Sequence, residues 1–147
     1  MRRLFLAALT CSICLATAAD GAPPRIDWPG FFATVGATGA TWAPELKKLD
    51  GKPVIVRGYA VTNPPLEGGA FLTRFQHDDP HDVEESDLPF DAVAVVWDRT
   101  IDVGSVPVRP TVVGTLRLGN RTYGGSAVMI TIENARPWID PAQPASR

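Results

Sequence analysis

The side chains best suited to chemistry gather in one stretch of this 147-residue chain, Gln76 to Asp91, which holds His77, Asp78, Asp79, His81, Asp82, Glu84, Glu85 and Asp87 and so both histidines of the sequence. Imidazole and carboxylate together are competent ligands for a divalent cation, and His77, Asp79, His81 and Asp82 form the candidate set. Pro80 and Pro89 forbid a regular helix through the stretch, so the two imidazoles meet one ion only if the segment curls around it. The plainer reading of the same residues is an exposed acidic loop between two strands. Beyond that divalent metal, the sequence points to no cofactor.

Other chemistries find less support. Ser105 and Ser126 stand outside any glycine-elbow sequence, and a Ser/His/Asp hydrolase would have to recruit one of only two histidines. Glu67 and Glu133 could be paired as a glycosidase dyad, but 16 acidic residues make such pairs easy to find and solvated surface charge is the simpler account. Gly119 to Gly125 lacks the Gly-Lys-Ser/Thr ending of a phosphate loop and reads as a hairpin turn. No residue is therefore assigned a catalytic role.

Aromatic and arginine residues recur through the second half of the chain. Tyr59, Phe71, Phe75, Trp97 and Trp138 could stack a sugar or base from a sheet surface, while core packing claims most strand aromatics in a domain of this size. Arg57 and Arg117 fall on expected strands with inward-facing neighbours. Together with Tyr59 and Trp97 they form the candidate ligand-binding set.

The start of the chain reads as an export signal: Arg2 and Arg3, an apolar run Leu4 to Leu15, then Ala16-Thr17-Ala18. The run is shorter than the roughly 20 apolar residues of a spanning helix, so no membrane span is expected after cleavage. Removing residues 1–18 takes both cysteines and leaves 12 basic against 16 acidic side chains, a net charge of −4. With no basic block, nucleic acid is not an expected partner. With no cysteine left, an oxidising compartment contributes no disulfide and the fold rests on its apolar core.

The elements that position these groups follow from patterning. Residues 19–41 read as a partly ordered extension. Trp42, Leu46 and Leu49 share a helical face, which predicts a short helix over 41–51 capped by Thr41, with Trp42 buried beneath it. From Lys52 onward the texture is β, and five strands are expected near 53–62, 69–76, 91–98, 110–118 and 126–136. Gly58 breaks the phase of the first, which suggests a bulge or coil at a positive φ. Five short strands, one of them bent, predict a mainly β fold, a small five-stranded OB-like barrel over 42–138, with a β-sandwich as the alternative and a disordered tail over 139–147.

The run Leu49-Asp50-Gly51-Lys52-Pro53-Val54-Ile55-Val56-Arg57-Gly58-Tyr59, then Gly69-Ala70-Phe71-Leu72, then Val112-Val113-Gly114-Thr115-Leu116, resembles an exported bacterial family of unknown function with the pattern LxGKxVxxxGY, Phe-Leu, VxGxL. The resemblance implies an OB-like barrel. Family members commonly carry a Cys/His-containing, proline-rich segment after the Phe-Leu strand, where this chain has Gln76-His77-Asp78-Asp79-Pro80-His81 and no cysteine.

Three functional readings follow: a periplasmic or secreted, non-catalytic binding or accessory module for a protein, peptide or glycan; a periplasmic divalent-metal-binding protein; and a small hydrolase. The first asks least of the residues. If the leader is cleaved, N-terminal sequencing of the exported protein should begin at Ala19 or Asp20, and a mature chain starting at Met1 would remove the basis for export.

Overall fold

The computed structural model describes residues 21–61, 65–76 and 88–141. The expected leader, the segment carrying His77, Asp79, His81 and Asp82, and the end of the tail lie outside them. In chain order the elements are β1 (Arg25–Ile26), a 3-10 turn at Trp28–Gly30, β2 (Phe32–Gly36), β3 (Gly39–Trp42), α1 (Pro44–Lys47), β4 (Pro53–Arg57), β5 (Tyr59–Val61), β6 (Gly69–Thr73) and β7 (Val93–Trp97). A 3-10 turn at Val103–Ser105, β8 (Thr111–Tyr123) and β9 (Ser126–Pro137) complete the order. Among the described residues no helix is long and apolar enough to cross a membrane.

Seven strands form one curled sheet in the order β1-β4-β8-β9-β7-β6-β5, and β2 pairs with β3 in a separate hairpin. The expected strands lie within this sheet, which has seven members rather than five because the first divides at Gly58 and β1 adds a parallel edge beside β4. Strands β7 and β9 also run parallel, and the remaining pairs of the sheet are antiparallel. Alternation sets the two faces. Val54, Val56, Leu72, Val93, Val95, Leu116, Ile130 and Ile132 enter the main core, while Phe71, Ala94 and Val128 pack in a second cluster with Val61 and Leu66. Strand β6 is consequently buried along its whole length.

The curl comes from β4 and β5, consecutive in sequence yet far apart in the strand order. The Gly58 N–H donates to Pro110 O at 3.3 Å and the Ala60 N–H to Val108 O at 2.9 Å, so the chain past Gly58 stays bonded to the segment that enters β8. Gly58 is needed there, but not for the backbone reason its sequence position suggested, since it takes no positive φ. Space is the constraint. A Cβ at this position would lie 2.6 Å from Cη2 of Trp28 and 3.0 Å from the Thr73 carbonyl oxygen.

Trp28 belongs to the stretch expected as an extension, which instead supplies Ile26, Trp28 and Phe31 to the core and pairs β1 with β4. The expected helix is also shorter. It spans Pro44–Lys47 with Ala43 at its N-cap and no side-chain cap, so Thr41 does not cap it. Leu46 is buried as the periodicity required, but Trp42 ends β3 and is only half-buried, stacked on Phe32 with ring centroids 5.0 Å apart. Strand pairing has taken Trp42 from the helix. Beyond Trp138, Asp140 binds Arg25 at 3.0 Å, so the first residues of the expected tail are tied to the start of β1.

Two irregularities shape β8 and β9. Their hairpin turn is only Gly124-Gly125, both at positive φ, with Tyr123 opposite Ser126; Asn120, Arg121 and Thr122 lie in the strand and not in the turn. Asn134 has a φ of 51°, in the left-handed region that asparagine tolerates, and it shifts the register against both neighbouring strands so that Ala135 faces Trp97. Gly114 accommodates this bulge, since a Cβ there would lie 2.7 Å from the Glu133 carbonyl oxygen.

Gly58→Ala should lower stability by about 1–3 kcal/mol through overpacking, and Gly58→Val by more. Adding Trp28→Phe to Gly58→Ala should recover part of the loss in denaturant titration. A loss that Trp28→Phe leaves untouched would place the constraint elsewhere than on that ring.

Candidate functional site

Trp97, Thr111 and Trp138 bring the ends of three strands to one side of the sheet. Trp97 closes β7, where its N–H donates to Gly68 O at 2.9 Å; Thr111 opens β8; and Trp138 follows β9, its N–H donating to Thr111 O at 2.9 Å. The Asn134 bulge lies four residues before Trp138 and re-registers the strand end that delivers it. The connection from β7 to β8 supplies the remaining wall, turned by Asp102, whose carboxylate accepts from the Gly104 N–H at 3.1 Å and whose carbonyl accepts from the Ser105 hydroxyl at 2.6 Å.

Between these elements lies a cleft of about 230 Å³, lined chiefly by Trp97, Trp138, Ile101, Val106, Pro107 and Pro110, with Ser105, Arg109 and Thr111 as its polar members. That volume holds on the order of eight waters, or an organic molecule of roughly ten non-hydrogen atoms. The Nε1–H groups of Trp97 and Trp138 are both buried and have no hydrogen-bond acceptor. Trp97 is only 8% exposed. Leaving a buried donor unmade costs about 1–3 kcal/mol.

Cations rim this cleft. Arg109 lies over the half-buried Tyr59 ring, its guanidinium carbon 4.9 Å from the centroid. An adjoining hollow of about 230 Å³, which shares Thr111 and Trp138, is lined by Arg25, Arg57 and Asp140. Among the described residues no carboxylate lines the Trp97–Trp138 cleft itself.

Of the four residues expected to bind a ligand, three come to this end of the molecule. Trp97 lines the cleft as a core residue and not as a surface platform; Tyr59 carries Arg109; Arg57 lines the adjoining hollow. Arg117 stands apart, six residues along β8 from Thr111 or roughly 20 Å. Its Nε donates to Glu133 at 2.9 Å, and Arg121 donates to the same carboxylate at 2.6 Å. Hydrogen bonding from Arg117, against some burial and helped by Arg121, holds the Glu133 carboxyl below its ordinary range. Burial pushes Asp91 the other way, opposed by a backbone hydrogen bond and by Arg74. The candidate metal ligands His77, Asp79, His81 and Asp82 lie outside the described residues, among which no group of three His, Cys, Asp or Glu is placed to hold an ion.

Sequence reasoning missed Arg109 and named Trp138 among the stacking aromatics without placing it in the candidate set, and the available signal was compositional. Pro107, Pro110 and Pro137 flank these residues, and prolines beside an arginine and a tryptophan mark chain that is rigid without belonging to a strand interior.

No family model matches the chain, and neither does any curated protein. Among solved structures, the crystal structure of a DUF3299 family protein from Pseudomonas aeruginosa PAO1 is similar, with a TM-score of 0.49 and 13% identity over 83% of this chain and 100% of that one.

Because the folded-state pKa of Glu133 lies below the usual 4.5, its contribution to stability is present above that pH and lost as pH falls through the lower, folded-state value. Glu133→Gln should therefore flatten the acid limb of a stability-against-pH curve. An unaltered acid limb would show that the Arg117–Glu133–Arg121 cluster adds nothing measurable to folding.

Proposed function

We propose that this chain is an exported, non-catalytic binding module built on an OB-like barrel, and that it holds a small ligand in the cleft between Trp97 and Trp138. The barrel reading is supported by a sheet whose first long strand is shared between β4 and β5, by the parallel β7·β9 pair, and by the bonds from Gly58 and Ala60 to Pro110 and Val108 that draw its ends together. The charged start and apolar run of residues 2–19 support export.

One observation carries the binding reading: a mostly apolar cleft between two indole rings has in its lining the Arg109 guanidinium, which no described carboxylate pairs. Ligand sites are typically concave and apolar with a few convergent polar groups. The cleft holds no His, Cys, Lys or carboxylate, so the described residues offer no general base or activated nucleophile there.

The chain has four tryptophans, so a nitrogen-15 correlation spectrum carries four indole signals. Titration with a library of small organic molecules should move those of Trp97 and Trp138 and leave that of Trp42 in place. The double variant Trp97→Phe, Trp138→Phe has no indole signal at the cleft, so binding is read there by saturation transfer to the ligand, which should be lost at a packing cost of about 1–2 kcal/mol per site. A library that moves only Trp42, or no tryptophan, would end the reading.

A further inference from the structure

We infer that the Trp97–Trp138 cleft takes a small carboxylate with an apolar body, its aryl or acyl part against Trp97, Ile101 and Val106 and its carboxylate on Arg109. This deepens the binding-module reading and rests on it.

The donor set argues for the anion. The indoles of Trp97 and Trp138 bring no acceptor to the cleft. Arg109 adds a guanidinium whose face lies on Tyr59, which leaves its N–H edges for a second partner. Among the described residues no carboxylate pairs with Arg109 or Arg57. Arg25, Arg57 and Arg109 stand around the two adjoining hollows against the single carboxylate of Asp140, which is engaged by Arg25, in a chain whose net charge is −2. A local surplus of cation on an acidic protein favours a negative ligand.

The rest of the lining sets the body. Trp97, Ile101, Val106, Pro107 and Pro110 offer apolar surface, and about 230 Å³ suits a molecule of roughly ten non-hydrogen atoms, too few for a disaccharide. Ser105 spends its hydroxyl proton on the Asp102 carbonyl. A polyhydroxylated ligand, which needs acceptors as well as donors, finds few here. A cationic ligand would face Arg109, with Arg25 and Arg57 in the adjoining hollow.

The test uses the whole mature chain and matched triplets of acid, amide and amine on one skeleton: phenylacetate, phenylacetamide and 2-phenylethylamine, with the hexanoate and benzoate series beside them. Affinity is read from the indole signals near pH 7. The acid of at least one series should bind roughly tenfold more tightly than its amide, with the amine weakest, and added salt should erode the acid's advantage. Arg109→Gln should remove that preference while changing amide affinity less than about twofold; Lys47→Gln, the same charge change on α1, should not. Acids and amides that bind alike at Trp97 and Trp138 would overturn the carboxylate assignment and leave the binding site standing. Acids that move neither indole at millimolar concentration would overturn the assignment, and if amides and amines are silent as well the cleft reading falls with it.

Discussion

The contact between the Gly58 backbone and the Trp28 ring governs the rest of the architecture. A Cβ at Gly58 would stand 2.6 Å from the indole, so the long first strand can cross Trp28 only where it has no side chain. Crossing there, it continues from β4 into β5 while remaining bonded along Pro110 and Val108, and one covalent strand serves two regions of the same sheet. Trp28 in turn depends on the 3-10 turn that seats it, with Phe31 packed 5.0 Å away at the centroids. Sheet curvature and the order of the N-terminal stretch are thus one problem with one solution.

That coupling explains what could be read from the sequence. Strands near 53–62, 69–76, 91–98, 110–118 and 126–136 announced themselves because β-branched and aliphatic residues alternate there between turn residues, and each recurs as sheet, though the first divides at Gly58 and the fourth runs on to Tyr123. The significance of Gly58 was legible, but its cause was not: periodicity records a broken phase without telling a backbone that needs positive φ from one that needs empty space. The β2–β3 hairpin was hidden because Gly36, Ala37, Thr38, Gly39 and Ala40 look like loop composition, and because Trp42 fits a helical face with Leu46 and Leu49 as well as it fits the end of a strand.

The candidate site was harder to read because none of its groups stands close to the others in sequence. Trp97, Arg109 and Trp138 come from the end of one strand, the approach to a second and the exit from a third, and only the parallel β7·β9 pairing and the Asn134 bulge bring them together. The conspicuous cluster of chemistry-bearing residues, by contrast, was local. Arg57, Tyr59 and Trp97 were singled out for residue type, and their convergence at one end is a product of the strand crossing at Gly58: it sends Arg57 to the Trp138 side and Tyr59 beneath Arg109. Arg117 has the same type and a similar setting, yet Glu133 holds it elsewhere on the strand.

Viewed energetically, the three unpartnered indoles are not equivalent. Trp28 Nε1 is enclosed among core side chains, and its open donor is offset by the packing that the ring provides at the place where the sheet turns. Trp97 and Trp138 border a cleft, and a smaller apolar side chain could line that cleft without leaving a donor open. Two indoles stand there beside an arginine whose face is stacked on Tyr59, and their N–H groups stay enclosed while the ring faces border the cleft. Trp97 itself belongs to the core built by Val54, Val93, Leu116, Ile130 and Ile132, so one wall of the cleft is continuous with the layer that holds the sheet together.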